Sequence, residues 1–162
     1  MFFFIFLVAT LITMFPFPAQ PEEMVGRVVD VHDGDSLRLN YEGVSLRIRL
    51  YGVDCPELLQ LGGAEARALT QQLAYGRVLV VESKGQDRYG RVIGRVFLVS
   101  GNTLSRELVK AGRCWWYYKY APDDQTLAEL EAEAKENKRG LWANPSPTPP
   151  WEWRIRKKSS GN

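Results

Sequence analysis

The sequence predicts an α+β fold, a five-stranded β-barrel of OB type with three α-helices. Three observations predict it. Five short segments are rich in β-branched residues or alternate apolar and polar residues with the period of a half-buried strand. Tight turn signals join the first three of them into a meander. Helical periodicity occurs once between the third and fourth strands and twice after the fifth.

Taken in order, Val25 to Val31 supplies the first strand and Asp33-Gly34 the turn after it. Ser36 to Tyr41 is the second strand, with Leu37, Leu39 and Tyr41 on one face. Glu42-Gly43 makes a hairpin turn into a third strand, Val44 to Tyr51. Val53-Asp54-Cys55-Pro56-Glu57 is a second acidic turn, stopped by proline. Beyond the flexible Gly62-Gly63, the stretch Ala64 to Ala74 sets Ala66, Leu69, Thr70 and Leu73 at helical steps, and Gly76 ends it. Arg77 to Glu82 is the fourth strand, Lys84 to Gly90 a polar loop and Arg91 to Val99 the fifth strand. A second helix covers Thr103 to Ala111, and Gly112 closes it. The aromatic block Trp115 to Tyr120 follows. A third helix starts at Pro122 and Asp123-Asp124, runs to about Arg139, and buries Leu127, Leu130, Ala134 and Asn137. Asn144 to Pro150 is proline-rich and extended, and the polar residues at the end are expected to be disordered.

With 162 residues the chain favours one folded domain, assigned to residues 20–143, with a basic tail containing proline and tryptophan at 144–162. Residues 1–19 are read separately. Phe2 to Phe15 is an apolar run too short to span a bilayer comfortably, and it fits a secretory signal. No Lys or Arg precedes the run, and Phe17 stands at the −3 position of the best small-residue site, Ala19, so an uncleaved membrane tether is the other reading. Either reading places the domain outside the cytoplasm, secreted or periplasmic. In an exported protein the two cysteines, Cys55 and Cys114, can pair or can remain two buried thiols.

The formal net charge of +2 does not mark a nucleic-acid binder; clustering of charge does. Arg88, Arg91 and Arg95 lie close together, and the tail carries Arg154, Arg156, Lys157 and Lys158. His32 is the single histidine, which leaves little for a Ser/His/Asp mechanism, and two cysteines far apart do not make a zinc site. The chemistry concentrates in the two acidic turns. Asp33, Asp35, Asp54 and Glu57 offer the clustered oxygens that hard divalent cations require. Each is also an ordinary turn residue, because Asp bonds nearby backbone. Arg49 and Arg91 alongside suit phosphate, since the guanidinium fork matches its oxygens. Tyr118 and Tyr120 can stack a base, while Trp115 and Trp116 read as core. The residues point to a metal-dependent phosphodiesterase acting on nucleic acid.

Three ordered motifs carry a resemblance: Val31-His32-Asp33-Gly34-Asp35-Ser36, then Arg49-Leu50-Tyr51-Gly52-Val53-Asp54-Cys55-Pro56-Glu57, then Asp87-Arg88-Tyr89-Gly90-Arg91. Leu108 to Gly112, the tyrosines near Tyr120, and Gly140-Leu141-Trp142 extend it, so that it covers about Val25 to Trp142. The chain resembles the staphylococcal nuclease (thermonuclease) family. The resemblance implies a calcium-dependent nuclease that cuts DNA and RNA and leaves 3′-phosphate ends. It implies Asp35 and Asp54 as carboxylate ligands of Ca2+, with the backbone carbonyl of Cys55 as a third ligand. It implies Glu57 as the residue that orients or deprotonates water, and Arg49 and Arg91 as phosphate-binding catalytic groups. Arg88, Tyr89, Tyr118 and Tyr120 are implied to hold the substrate. No stable protein partner is expected, and the chain is expected to be a monomer.

Three departures stand out. Ser36 replaces the family's usual threonine, and Cys55 stands where the prototype has threonine. The link from Glu57 to the first helix is short where the prototype has a long lysine-rich loop, which bears on substrate affinity and on the choice between ends and internal bonds. The competing reading is a non-catalytic OB-type module that binds single-stranded nucleic acid or a protein, since fold alone does not fix function. The filled metal and arginine positions favour the enzyme.

Overall fold

The structure, a computed structural model, describes residues 22–159. The apolar N-terminal run read as a signal or tether lies outside these described residues, within which no helix is long and apolar enough to cross a membrane.

Strand β1 (Glu23–Val31) pairs antiparallel with β2 (Ser36–Tyr41), and β2 with β3 (Val44–Leu50). This is the expected meander. Strand β5 (Val78–Gln86) pairs antiparallel with both β1 and β6 (Val92–Phe97), and β6 closes the barrel by pairing parallel with β3. The barrel order is therefore β1-β2-β3-β6-β5, closed on itself, which removes sheet edges. Alternation decides what fills it. Val28, Leu37, Leu39, Ile48, Val81 and Val96 point inward and are buried, each contributing roughly 1.5–3 kcal/mol of burial. The opposite alternation sends Arg49 and Arg91 outward. The register Arg49↔Ile93 puts both on the same outer face of adjacent strands, because Arg91 and Ile93 are two residues apart.

Helix α1 (Gly63–Ala74) buries Ala66 and Thr70 against the barrel, as its spacing predicts. Helix α2 (Leu104–Lys110) is capped by Thr103, whose side chain accepts from the Arg106 N–H. Helix α3 (Gln125–Glu136) is capped by Asp124 and buries Leu127 and Ala134. It is shorter than expected at both ends. Asn137 is an exposed C-cap and not a core residue, because its amide donates to the Glu133 carbonyl at 2.8 Å instead of facing inward.

Two elements lie in stretches that read as irregular. Val53–Asp54 in the second acidic turn forms β4, and Trp115–Trp116 in the aromatic block forms β7; they pair with each other. Cys55 and Cys114, directly adjoining this pair, form a disulfide.

The tail corrects the expectation of disorder. After one 3-10 turn (Gly140–Ala143), Pro150–Ser159 forms a helix, α4. Pro150 stands at the first helical position, where its missing N–H costs nothing. Glu152 lies in the first turn and Arg156, Lys157 and Lys158 in the last, matching the helix dipole.

Candidate active site

The first acidic turn is built around close approach. A Cβ at Gly34 would lie 2.7 Å from Cys55 Cβ and 2.8 Å from Ala66 Cβ, so only glycine lets the two acidic turns and α1 meet. Asp33 takes the turn role: its Oδ1 accepts from the Asp35 N–H at 3.0 Å. That bond turns Asp35 inward, where it is 1% exposed. Asp35 Oδ2 accepts from the Cys55 N–H at 2.6 Å, and Oδ1 from Ser36 Oγ at 3.2 Å. The two acidic turns are thus joined by a side chain of one and the backbone of the other.

Asp54 is fully buried in β4. Arg49 bridges the two aspartates. Its Nη1 is paired with Asp35, and its Nη2 donates to Asp54 Oδ1 at 2.7 Å. Two buried carboxylates are tolerated side by side because this guanidinium joins them. Glu57 stands half-exposed just beyond, its N–H donating to Gln60 Oε1 at 3.3 Å. A Cβ at Gly63 would lie 2.0 Å from the Glu57 carbonyl oxygen, so the start of α1 packs directly on the Glu57 backbone.

A residue that sequence reasoning missed completes the cluster. Arg154 of α4 donates to Asp54 through both terminal nitrogens, at 3.2 Å to Oδ1 and 2.7 Å to Oδ2, and to Glu57 Oε1 at 2.9 Å. Burial works against its charge, but the bonds to Asp54 and Glu57 outweigh this and hold the group above the ordinary arginine range. Trp151, one helical turn earlier, stacks on Tyr117 at 5.4 Å and 5°. Burial raises the Tyr117 hydroxyl above its ordinary value, and the nearby Asp54 charge adds to this. The available signal was the three-residue spacing of Trp151 and Arg154 behind a proline start, which puts both on one face of a helix.

Arg91 is paired with another carboxylate, Asp87. Its backbone N–H and its Nε donate to Asp87, at 3.0 and 2.7 Å. Burial opposes charge on Asp87, but the hydrogen bonds from Arg91 and Tyr89 prevail and lower its pKa. Arg88 donates to the Tyr89 hydroxyl at 2.7 Å, and Tyr89 is exposed, so this loop presents a cationic and aromatic surface. Tyr118 and Tyr120 are exposed and lean on Trp116 and Tyr117 respectively. Trp115 is buried, as expected of a core residue, and Trp116 is partly buried against the core. His32 is exposed just past β1, with its N–H donating to the Ser36 carbonyl, a turn role.

The donor set fits a hard divalent cation in its chemistry. Among the described residues no group of three or more His, Cys, Asp or Glu side chains is placed to hold a metal ion. The two buried carboxylates, Asp35 and Asp54, are nonetheless oxygen donors of the type such ions take. Three carboxylates, Asp35, Asp54 and Glu57, face two guanidiniums, Arg49 and Arg154, so the cluster keeps one negative charge in excess (three minus two).

Residues 47–144 match the model of the staphylococcal nuclease homologue family. Over 144 residues the chain is 38% identical to an uncharacterized endonuclease of Escherichia coli, covering 89% of this chain and 94% of that protein. The chain belongs to the staphylococcal nuclease family. It is also 34% identical over 146 residues to a micrococcal nuclease of Shigella flexneri, covering 85% of this chain and 84% of that one. A staphylococcal-like nuclease of Arabidopsis thaliana is 38% identical over 112 residues, 69% of this chain and 34% of that protein. The family match contains Arg49, Asp54, Glu57 and Arg91 and ends before α4, so Arg154 stands beyond it.

Proposed function

We propose that the protein is an exported, calcium-dependent nuclease that hydrolyses phosphodiester bonds in DNA and RNA and leaves 3′-phosphate ends. Family membership supports the nuclease class. The observation that carries the finer reading is the Asp35–Arg49–Asp54 cluster, to which Arg154 joins the half-exposed Glu57. Asp35, Asp54 and the Cys55 carbonyl would hold the cation, which supplies charge neutralisation at the phosphoryl oxygens. Glu57 accepts a proton from the attacking water as its oxygen bonds to phosphorus. The bond to the 5′ oxygen breaks, and that oxygen takes a proton from solvent. Arg49 and Arg91, on one outer face, stabilise the negative charge that develops on the phosphoryl group. Arg88, Tyr89, Tyr118 and Tyr120 present the exposed cationic and aromatic surface for the rest of the strand. The disulfide supports export, since such bonds persist in oxidising compartments.

The test is cleavage of single- and double-stranded DNA and of RNA with calcium, with magnesium and with chelator. Calcium-dependent cleavage with 3′-phosphate ends is expected. Loss of about 10²-fold or more in kcat is expected for Glu57→Ser and for Arg91→Ala. Binding of nucleic acid without cleavage under every metal would favour the non-catalytic module.

A further inference from the structure

Arg154 does more than neutralise charge. Both of its terminal nitrogens engage Asp54, and one of them also engages Glu57. These carboxylates are the ones that the proposed reaction needs free, one for the cation and one for water. The helix that carries Arg154 is docked through Trp151 and through Arg154 itself. Trp151 stacks on Tyr117 and meets the buried Trp115 edge-on at 6.5 Å, and Gln60 Nε2 donates to the Thr148 carbonyl at 2.6 Å in the segment leading into the helix. Within α4 only Pro150 is buried, and Ile155 is 64% exposed. A helix of 10 residues is marginal in water without packing, so α4 depends on its docking and on the Arg154 bonds to Asp54 and Glu57, which a cation at Asp54 would replace. Pro145, Pro147 and Pro149 form a stiff link on which it would swing.

We propose that α4 is a latch: Arg154 closes the carboxylate cluster, and a divalent cation is taken up at Asp54 with release of the helix. This rests on the metal-dependent reading above. Apparent cation affinity is then the intrinsic affinity reduced by the fraction of chains that are open. An open fraction of about 1–10% lowers affinity by about ten- to a hundredfold. Release also returns a guanidinium to the basic run Arg154 to Lys158, beside the site that receives a polyanion.

The experiment is calcium titration by calorimetry, without substrate, of the full chain and of Arg154→Ala and Trp151→Ala, with hydrogen exchange of the α4 amides. Both variants are expected to bind calcium about tenfold or more tightly than the parent. Calcium is expected to accelerate exchange in α4 of the parent. Trp151→Ala leaves every charge in place, so tighter binding in Arg154→Ala alone would make Arg154 a fixed charge and overturn the latch. Calcium binding with unchanged α4 exchange would overturn it as well, as would a failure of all three chains to bind calcium. Calcium binding and latch release without cleavage would sink the nuclease reading and leave the latch standing.

Discussion

Asp35 and Asp33 differ by two positions and by everything that decides their chemistry. Asp33 bonds the backbone of its own turn, while Asp35 is buried, joined to Arg49 and to the Cys55 N–H. One motif therefore holds a turn-forming aspartate and a buried, ion-paired one two residues apart. Asp87 shows the same division between local structure and charge. Its carboxylate holds Arg91 and the Tyr89 N–H, and these bonds lower its pKa from the ordinary 3.8. A carboxyl with a lowered pKa in the fold stabilises the protein above its unfolded pKa and loses that contribution as pH falls through the folded value. The parent is therefore expected to lose more stability between pH 6 and about pH 3 than Asp87→Asn, which has no such charge to lose. Urea denaturation at the two pH values measures this, and equal losses would show that the Asp87 bonds add nothing.

At the scale of elements, the second acidic turn is more than a turn. Pairing of β4 with β7 and the Cys55–Cys114 disulfide fix the chain on both sides of Asp54. The bridge closes a sequence separation of 59 residues, for which chain entropy gives about 4 kcal/mol. Replacing both cysteines with alanine is expected to lower unfolding stability by about that amount, read as a drop in the denaturant midpoint at unchanged slope. A loss well under about 1 kcal/mol would mean that the β4–β7 pair holds the turn without it. Helix α4 is the element that composition concealed. Its second half is polar and basic, so a helix reading competes poorly with a disordered tail until the Trp151–Tyr117 stack and the Arg154 bonds supply partners.

Across the whole molecule, charge is nearly balanced, at +2 overall, so affinity for a polyanion depends on where the cations lie. Arg49 and Arg91 share an outer barrel face, and Arg88 lies in the loop leading to β6. If these three are the phosphate contacts, log affinity for a single strand falls with log salt at a slope of about −2, and Arg91→Ala makes it shallower by about 0.7. Fluorescence anisotropy of a labelled oligonucleotide in chelator, across a salt series, measures both slopes. An unchanged slope in the variant would remove Arg91 from the phosphate contacts.

The barrel, the first three helices and every member of the candidate cluster but Arg154 were legible in the sequence, because they rest on local physics. Period-two alternation assigns faces, turn residues set the meander, and ordered acidic and arginine motifs mark the chemistry. The parts decided only by tertiary structure are those in which a residue's partner is distant along the chain. Cys55 meets Cys114, Arg49 turns onto two buried aspartates, and Arg154 reaches Asp54 across 100 positions. No local propensity carries such information, since a charged or sulfur-bearing side chain reads the same alone as paired. The closed barrel brings these partners within reach, and burial of Asp35 and Asp54 then requires that positive charge face them.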